Sequence, residues 1–470
     1  MLRRFRWTGL LVLLVLSGCV PTKPSEPTNL TADPSLNPNT VTIFLTGNTL
    51  STLKPCGCST GQLGGLDRRG AAIHSTPADR RLVIDTGNFL AQDTPQDRLK
   101  LSILLQALTL QEYDILHLDK NDMKVISEMG LLDSTNCEIL SSISLYDKIA
   151  AKVGREFSLD DRKLRVTIAS IQAADFNPSK LSQLFDAKGD TVKSNLLIVD
   201  SSDPKIIDSI AKTNLVDVLI VPSMATEPRI VDRGRTRPLV ISVGKFGEYA
   251  AKLTLQVQND GSVKPEFSEV PITDKLPSDK NLVDLYKFYQ TLVRDEKLLD
   301  KVPQVPLEDG LAFVGTKKCQ TCHEFAYQKW TERKHAIAYP TLVQVEHQYD
   351  PECVKCHVIG LGYESGFKND TNSEFGNVGC EACHGPGNKH IESVLTQKTY
   401  VAPGGQPRMK CVDCHTNENS SGFSGHEREY FQKIAHWKEP RAEDSIQYLS
   451  GTAAPKADSV NVGKESSDNR

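Results

Sequence analysis

Eight of the twelve cysteines in this 470-residue chain stand in pairs two residues apart, and each pair is followed at once by histidine. The four groups are Cys319-Gln-Thr-Cys322-His323, Cys353-Val-Lys-Cys356-His357, Cys380-Glu-Ala-Cys383-His384 and Cys411-Val-Asp-Cys414-His415. Two thiols at that spacing sit on one turn of chain, where they can form thioethers with the vinyl groups of one porphyrin while the adjacent imidazole reaches the iron. Zinc ribbons would also use eight cysteines, but tetrathiolate zinc gives no reason for a histidine after every second one. A thioredoxin-type redox pair would not recur four times in one segment. The chain has only eleven histidines, so four such placements are not coincidence. The pattern predicts four covalently bound haem c groups. Cys319, Cys322, Cys353, Cys356, Cys380, Cys383, Cys411 and Cys414 would be the thioether anchors, with His323, His357, His384 and His415 as proximal iron ligands.

The second axial position of each iron needs a further donor. Between Leu311 and Trp437 there are five more histidines, His335, His347, His390, His426 and His436, but a single methionine, Met409. Bis-histidine ligation is therefore the expected rule, and methionine can serve once at most, which places the potentials toward the low end of the cytochrome c range. Five candidates for four positions leave at least one histidine over. A segment of this length carrying four macrocycles, with long loops such as Gly360 to Asn377, cannot build an ordinary apolar core, so the porphyrins themselves must be the core. Haems packed so densely would lie within electron-hopping range of one another.

The elements that position these groups carry a more specific pattern. It includes Phe313-Val-Gly315-Thr-Lys-Lys-Cys319, Trp330-Thr-Glu-Arg-Lys-His335-Ala336 and Cys356-His357-Val358-Ile359-Gly360. It continues with Val378-Gly379-Cys380-Glu381-Ala382-Cys383-His384-Gly385-Pro386-Gly387, His390 and Lys433-Ile434-Ala435-His436. This quarter of the chain resembles the tetrahaem cytochromes that take electrons from hydroxylamine oxidoreductase. The resemblance implies a mainly α, haem-packed domain with haems in stacked pairs. It makes His335 the distal ligand to the haem of His384, His390 that of His323, and His436 that of His415. The haem of His357 would be left with an open axial position, and His347 and His426 remain unplaced as further distal candidates.

Upstream, short apolar runs alternate with helical stretches: Val41 to Leu45, Arg81 to Asp85, Ile139 to Ile143, Leu164 to Ser170, Asn195 to Asp200, Val216 to Val221 and Pro238 to Val243. That alternation is α/β organisation, with Leu99 to Leu110 an amphipathic helix. Strand ends carry Thr46-Gly47-Asn48, Asp85-Thr86-Gly87-Asn88 and Asp119-Lys-Asn-Asp122, and the chain also contains Pro55-Cys56-Gly57-Cys58 and Leu63-Gly64-Gly65-Leu66-Asp67-Arg68-Arg69. The order of these motifs resembles the calcineurin-like metallophosphoesterases of the exported 5′-nucleotidase branch. The resemblance implies a β-sandwich flanked by helices.

That family's metal ligands are missing here: there is no Asp-x-His after the first strand, Asn88 stands where a bridging Asp would be, and Pro222-Ser223-Met224-Ala225 replaces the late Gly-His-x-His. Two hydrolytic metal ions also need about six to eight N and O ligands, and the whole segment offers only His74 and His117 as imidazoles. A docking or recognition role is expected in place of hydrolysis. Gly64-Gly65 reads as a tight turn with no helix N-terminus after it. Cys137 is expected to pair with Cys56 or Cys58; soft-metal binding by the trio or a reactive leftover thiol are the alternatives.

At the N-terminus, Arg3, Arg4 and Arg6 precede the apolar run Leu10 to Leu16 and then Leu16-Ser17-Gly18-Cys19, the layout of an export signal. The tetrad resembles a bacterial lipobox, which implies lipidation at Cys19. Losing those three arginines takes the net charge from −4 to −7, so a nucleic-acid partner is not expected. The resulting plan is a lipoprotein signal over 1–18, a flexible tether over 19–39, the degenerate phosphoesterase-like α/β domain over 40–271, a helical linker over 272–310 with a helix from Asn281 to Lys301, the tetrahaem domain over 311–437, and a polar, partly disordered tail over 438–470. The expected location is the periplasm or outer cell envelope, with membrane attachment through the lipid anchor. The expected function is electron transfer between redox protein partners of the envelope. The alternatives are a haem oxidoreductase acting on a small nitrogen or sulfur compound at an open iron, and a phosphoesterase with accessory haems.

Overall fold

A computed structural model of the chain describes residues 37–55, 61–143, 149–160, 162–185, 191–396, 410–416, 419–420 and 422–436. Cys19 and its leader, Cys56, Cys58, Met409 and Trp437 lie outside the described residues.

Two six-stranded sheets make the first body. One has the order β12-β11-β1-β2-β3-β4, built from β1 (Thr40–Thr46), β2 (Arg81–Asp85), β3 (Ile115–His117), β4 (Glu138–Leu140), β11 (Tyr249–Val257) and β12 (Val263–Pro271). The other has the order β5-β6-β7-β8-β10-β9, from β5 (Lys152–Ser158), β6 (Lys163–Ile171), β7 (Val192–Val199), β8 (Val218–Ile220), β9 (Arg229–Ile230) and β10 (Leu239–Ser242). Central neighbours run parallel: β1 beside β2, β2 beside β3, β6 beside β7 and β7 beside β8. The strands β11, β12, β5 and β9 add antiparallel edges.

Side-chain alternation explains how the sheets stack. In β1, Val41, Ile43 and Leu45 enter the core between the sheets while Phe44 faces the helices outside. The same division holds in β2, where Leu82 and Ile84 point inward and Val83 outward. Both faces are covered, so these strands read as continuous apolar runs. Each fully buried aliphatic side chain of this kind contributes about 1.5–3 kcal/mol.

The outer face of the first sheet is covered by α1 (Leu66–Ile73), α2 (Pro95–Leu110) and α3 (Lys120–Glu128), that of the second by α4 (Pro178–Leu184) and α5 (Pro204–Ala211). Helix α2 starts where sequence chemistry asks it to. Thr94 accepts the Asp97 amide at 3.1 Å and Pro95 fills the first turn. Contrary to the expectation of a bare turn, a helix does follow Gly64-Gly65. Both glycines have positive φ, and Gly65 precedes α1, which buries Leu66, Ala72 and Ile73 against the sheet and the neighbouring helices.

The linker helix is shorter than expected. Helix α6 (Lys280–Asp295) stops at Glu296, after which Lys297 takes a positive φ, and it is capped at its start by Asp279. It packs Leu282, Tyr289 and Val293 into the same core as α1 and α2, so it belongs to the first body. Beyond it the chain is mainly helical in short pieces: α7 (Thr316–Gln320), α8 (Glu324–Thr331), α9 (Ala338–Gln344), α10 (Pro351–His357), α11 (Cys380–His384), α12 (Asn388–Leu395) and α13 (Glu427–Lys433). The apolar cluster of this second body comprises Leu299, Leu342, Val354, Val358 and Phe367. Even with Ala338, Ile359 and Phe423 buried outside it, so small a cluster cannot hold more than a hundred residues together.

Candidate haem-binding site

Each Cys-x-x-Cys-His group is one turn of helix. The His323 amide donates to the Cys319 carbonyl at 2.9 Å and the His415 amide to that of Cys411 at 2.8 Å, while the other two groups lie inside α10 and α11. One turn puts both sulfurs on the same side and sends the imidazole out beside them. The first and third groups are packed together. Gly379 lies so close to Thr316 that a Cβ would fall 1.8 Å from its hydroxyl oxygen, and the Cys380 amide donates to that hydroxyl at 3.2 Å. Beneath them the buried Glu381 carboxylate accepts the amides of Val314 at 3.0 Å, Gly315 at 2.7 Å and Gly387 at 2.8 Å. Burial pushes this carboxyl up, while those three amides pull it back toward the ionised form.

The imidazoles meet in pairs across gaps. His323 and His390 have ring centroids 6.2 Å apart, His335 and His415 6.2 Å, and His384 and His436 6.0 Å. Two imidazoles bound to one metal ion from opposite sides, at about 2.0 Å each, place their centroids roughly 6 Å apart. The gaps therefore fit one iron each. Burial lowers the pKa of His335, His390 and His415, and neutral imidazole is the form that ligates metal. Backbone carbonyls fix ring orientation: Nδ1 of His357 donates to Ala338 at 2.6 Å and Nδ1 of His436 to Ile434 at 2.7 Å, leaving Nε2 for a metal.

Two of these pairs differ from those implied by the family resemblance. His335 faces His415, where His384 was expected, and His436 faces His384, where His415 was expected. The 334–339 segment is tied to the chain just before the third group, the Val378 amide donating to the His335 carbonyl and the Tyr339 amide to the Asn377 side chain, and from that position the His335 ring meets that of His415. The pairing of His390 with His323 is as the resemblance implies.

Among the described residues no imidazole stands opposite His357 at such a distance. His347 packs edge-on against Tyr286 at 5.7 Å, and His426 is a surface residue beside Glu429 at 3.3 Å, so neither faces a proximal histidine. Residue patterns gave no role to Asp350, although Asp-Pro directly before an apolar helical run is a helix-start signature. It caps α10, donating nothing and accepting the Glu352 amide at 3.0 Å.

The strand ends of the first body carry a second polar cluster. Asp85 is fully buried and accepts from Thr46 at 2.7 Å and the Gly87 amide at 2.9 Å, and burial raises its carboxyl. Asp122 receives the amides of Asn88 at 2.6 Å and Phe89 at 3.0 Å, yet burial and the neighbouring Asp119 push it up to about 8. Asn88 and Asn48, both with positive φ, join side chains at 3.0 Å, and Asn48 also donates to the Gly244 carbonyl at 3.2 Å. His117 is tied to the Thr86 carbonyl at 2.9 Å and Ser170 at 2.8 Å, and burial lowers its pKa. These donors are committed to their own chain, and His74 sits apart at the end of α1, so the residues do not fit a hydrolytic metal pair. Cys137 is buried in the core of the first body, where burial raises its pKa, and Cys56 and Cys58, its expected disulfide partners, lie outside the described residues.

A helical segment whose Cys-x-x-Cys-His turns carry imidazoles facing others across iron-sized gaps has the donor set of a multihaem c-type cytochrome. Residues 318–385 match the family model of cytochrome c554 and c-prime. A curated relative, cytochrome c-554 of Nitrosomonas europaea, is 31% identical over 149 residues, covering 25% of this chain and 63% of the relative. The chain thus spans less than two thirds of that relative's length.

The first body is similar in fold to solved nucleotidase-type structures. Among them are Thermus thermophilus sulfate thiohydrolase SoxB (12% identity, 54% of this chain and 61% of that chain, TM-score 0.42), and Haemophilus influenzae NAD nucleotidase (11% identity, 62% and 68%, TM-score 0.43). Among the described residues no helix is long and apolar enough to cross a membrane.

Proposed function

We propose that this chain is an exported, lipid-anchored carrier of four haem c groups that passes electrons between redox proteins of the cell envelope. The observation that carries the reading is the set of three facing imidazole pairs at 6.0–6.2 Å. Haem supplies the one-electron chemistry; the chain's own residues tether it, orient its axial imidazoles and pack one group against the next. Bis-histidine ligation saturates an iron and favours simple electron passage over catalysis.

A second reading is supported by His357, which has its Nδ1 anchored and no facing imidazole among the described residues. Its iron would keep an open axial position, where a small nitrogen or sulfur compound could bind and be oxidised or reduced. Haem stoichiometry, optical and EPR spectra of the matured protein test both readings together. Four haems, three of them low-spin and one high-spin and CO-binding, are expected. Four low-spin haems would remove the second reading, and fewer than four haems the first.

A further inference from the structure

Several contacts join the two bodies, and the most buried of them centres on one carboxylate. Asp350 is almost completely buried, and its carboxylate is shared between the two bodies. On its own side it caps α10 through the Glu352 amide. From the other side Gln96 of α2 donates to it at 2.7 Å, and Gln290 and Tyr289 of α6 donate at 3.2 and 3.4 Å. Gln96 also bonds the Tyr289 hydroxyl at 2.8 Å, so the three donors form one connected set. Two residues along, Glu352 makes an ion pair with the buried Lys100 of α2. Helix α10, held at its first turn in this way, is the helix that carries Cys353, Cys356 and His357.

We propose that Asp350 is a positioning residue through which the N-terminal body sets the placement of the Cys353–His357 haem group. The inference rests on the reading that this group carries a haem. A buried carboxylate with several donors is rigid in direction, because moving it strands a charge or a donor away from water. A rigid cap at the first turn fixes the axis of so short a helix, and with it the imidazole at its end.

The test uses the full-length, haem-loaded protein and compares Gln96→Leu with Gln290→Leu in one double variant, Asp350→Asn and Asp350→Ala. The double variant removes both amide donors of the N-terminal body, leaves the longer contact from the Tyr289 hydroxyl and keeps the cap; Asn keeps capping ability but cannot accept from all four donors. Expected is a change of about tenfold in CO affinity at the haem of His357 in the double and Asn variants, comparable to the loss of an outer-shell partner, with the three low-spin spectra unchanged. If the double variant matches the unmodified protein while Asp350→Ala does not, Asp350 is only a helix cap and the proposal fails. It fails equally if all four haems change together. Should the unmodified protein bind no CO, the open-site reading falls, and the coupling is judged on the midpoint potential of the haem that is lost in Cys353→Ser/Cys356→Ser. A shift of that potential in the double variant supports it, and its constancy overturns it.

Discussion

At the scale of single residues, the exchanged histidine pairs make the sharpest claim. His335→Ala should convert the haem of His415 to high-spin, and His436→Ala that of His384, whereas the family resemblance assigns them the other way round. EPR of each variant, combined with removal of one attachment site at a time, distinguishes the two assignments. Sequence spacing singles out these histidines but not which rings meet, because His335 and His415 lie eighty positions apart and only the fold brings them together. A second expectation concerns pH. Asp122 has a folded pKa of about 8, well above its ordinary value, so the native state holds a proton that the unfolded chain has lost. Stability from this group is present below pH 4 and is lost as pH rises through 8. Thermal unfolding of the N-terminal body should therefore drop in temperature between about pH 5 and pH 8, and Asp122→Asn should flatten that slope; an unchanged slope in the variant would assign it elsewhere.

At the scale of elements, the strands buried on both faces were legible because nothing interrupts their apolar runs, as in Val41 to Leu45 and Leu164 to Ser170. Strands β11 and β12 were not, since Lys252, Glu266 and Glu269 interrupt the apolar run, and pairing across a sheet decides such cases. The end of α6 was misjudged for a related reason: Leu298 and Leu299 continue the helical spacing, yet the chain turns at Lys297 and both leucines are buried from a loop. Helix α6 should contribute to the first body as much as any of its own helices. Leu282→Ala is expected to cost that body about 2–5 kcal/mol in denaturant unfolding. A loss below 1 kcal/mol would mean the helix is only draped on the surface.

At the scale of the whole molecule, the two bodies are stabilised in different ways. The first has three apolar clusters around two sheets and needs no cofactor to close them. The second has, among the described residues, one apolar cluster of five buried side chains and several imidazole gaps that only a macrocycle would fill. Protein made without haem should therefore keep a cooperative thermal transition from the first body and be trimmed by protease to a stable fragment ending near residue 300, whereas matured protein should resist trimming. Protection of the second body without haem would show that it holds a core of its own. Strand β12 closes the first sheet with Val263-Lys-Pro-Glu-Phe-Ser-Glu-Val-Pro271, leaving one margin of the sheet open to solvent. Its two prolines withhold amide hydrogens and its lysine and glutamates would need to be stripped of water by any strand laid beside them. Copies crowded together are thereby denied the simplest route to fibres along that margin.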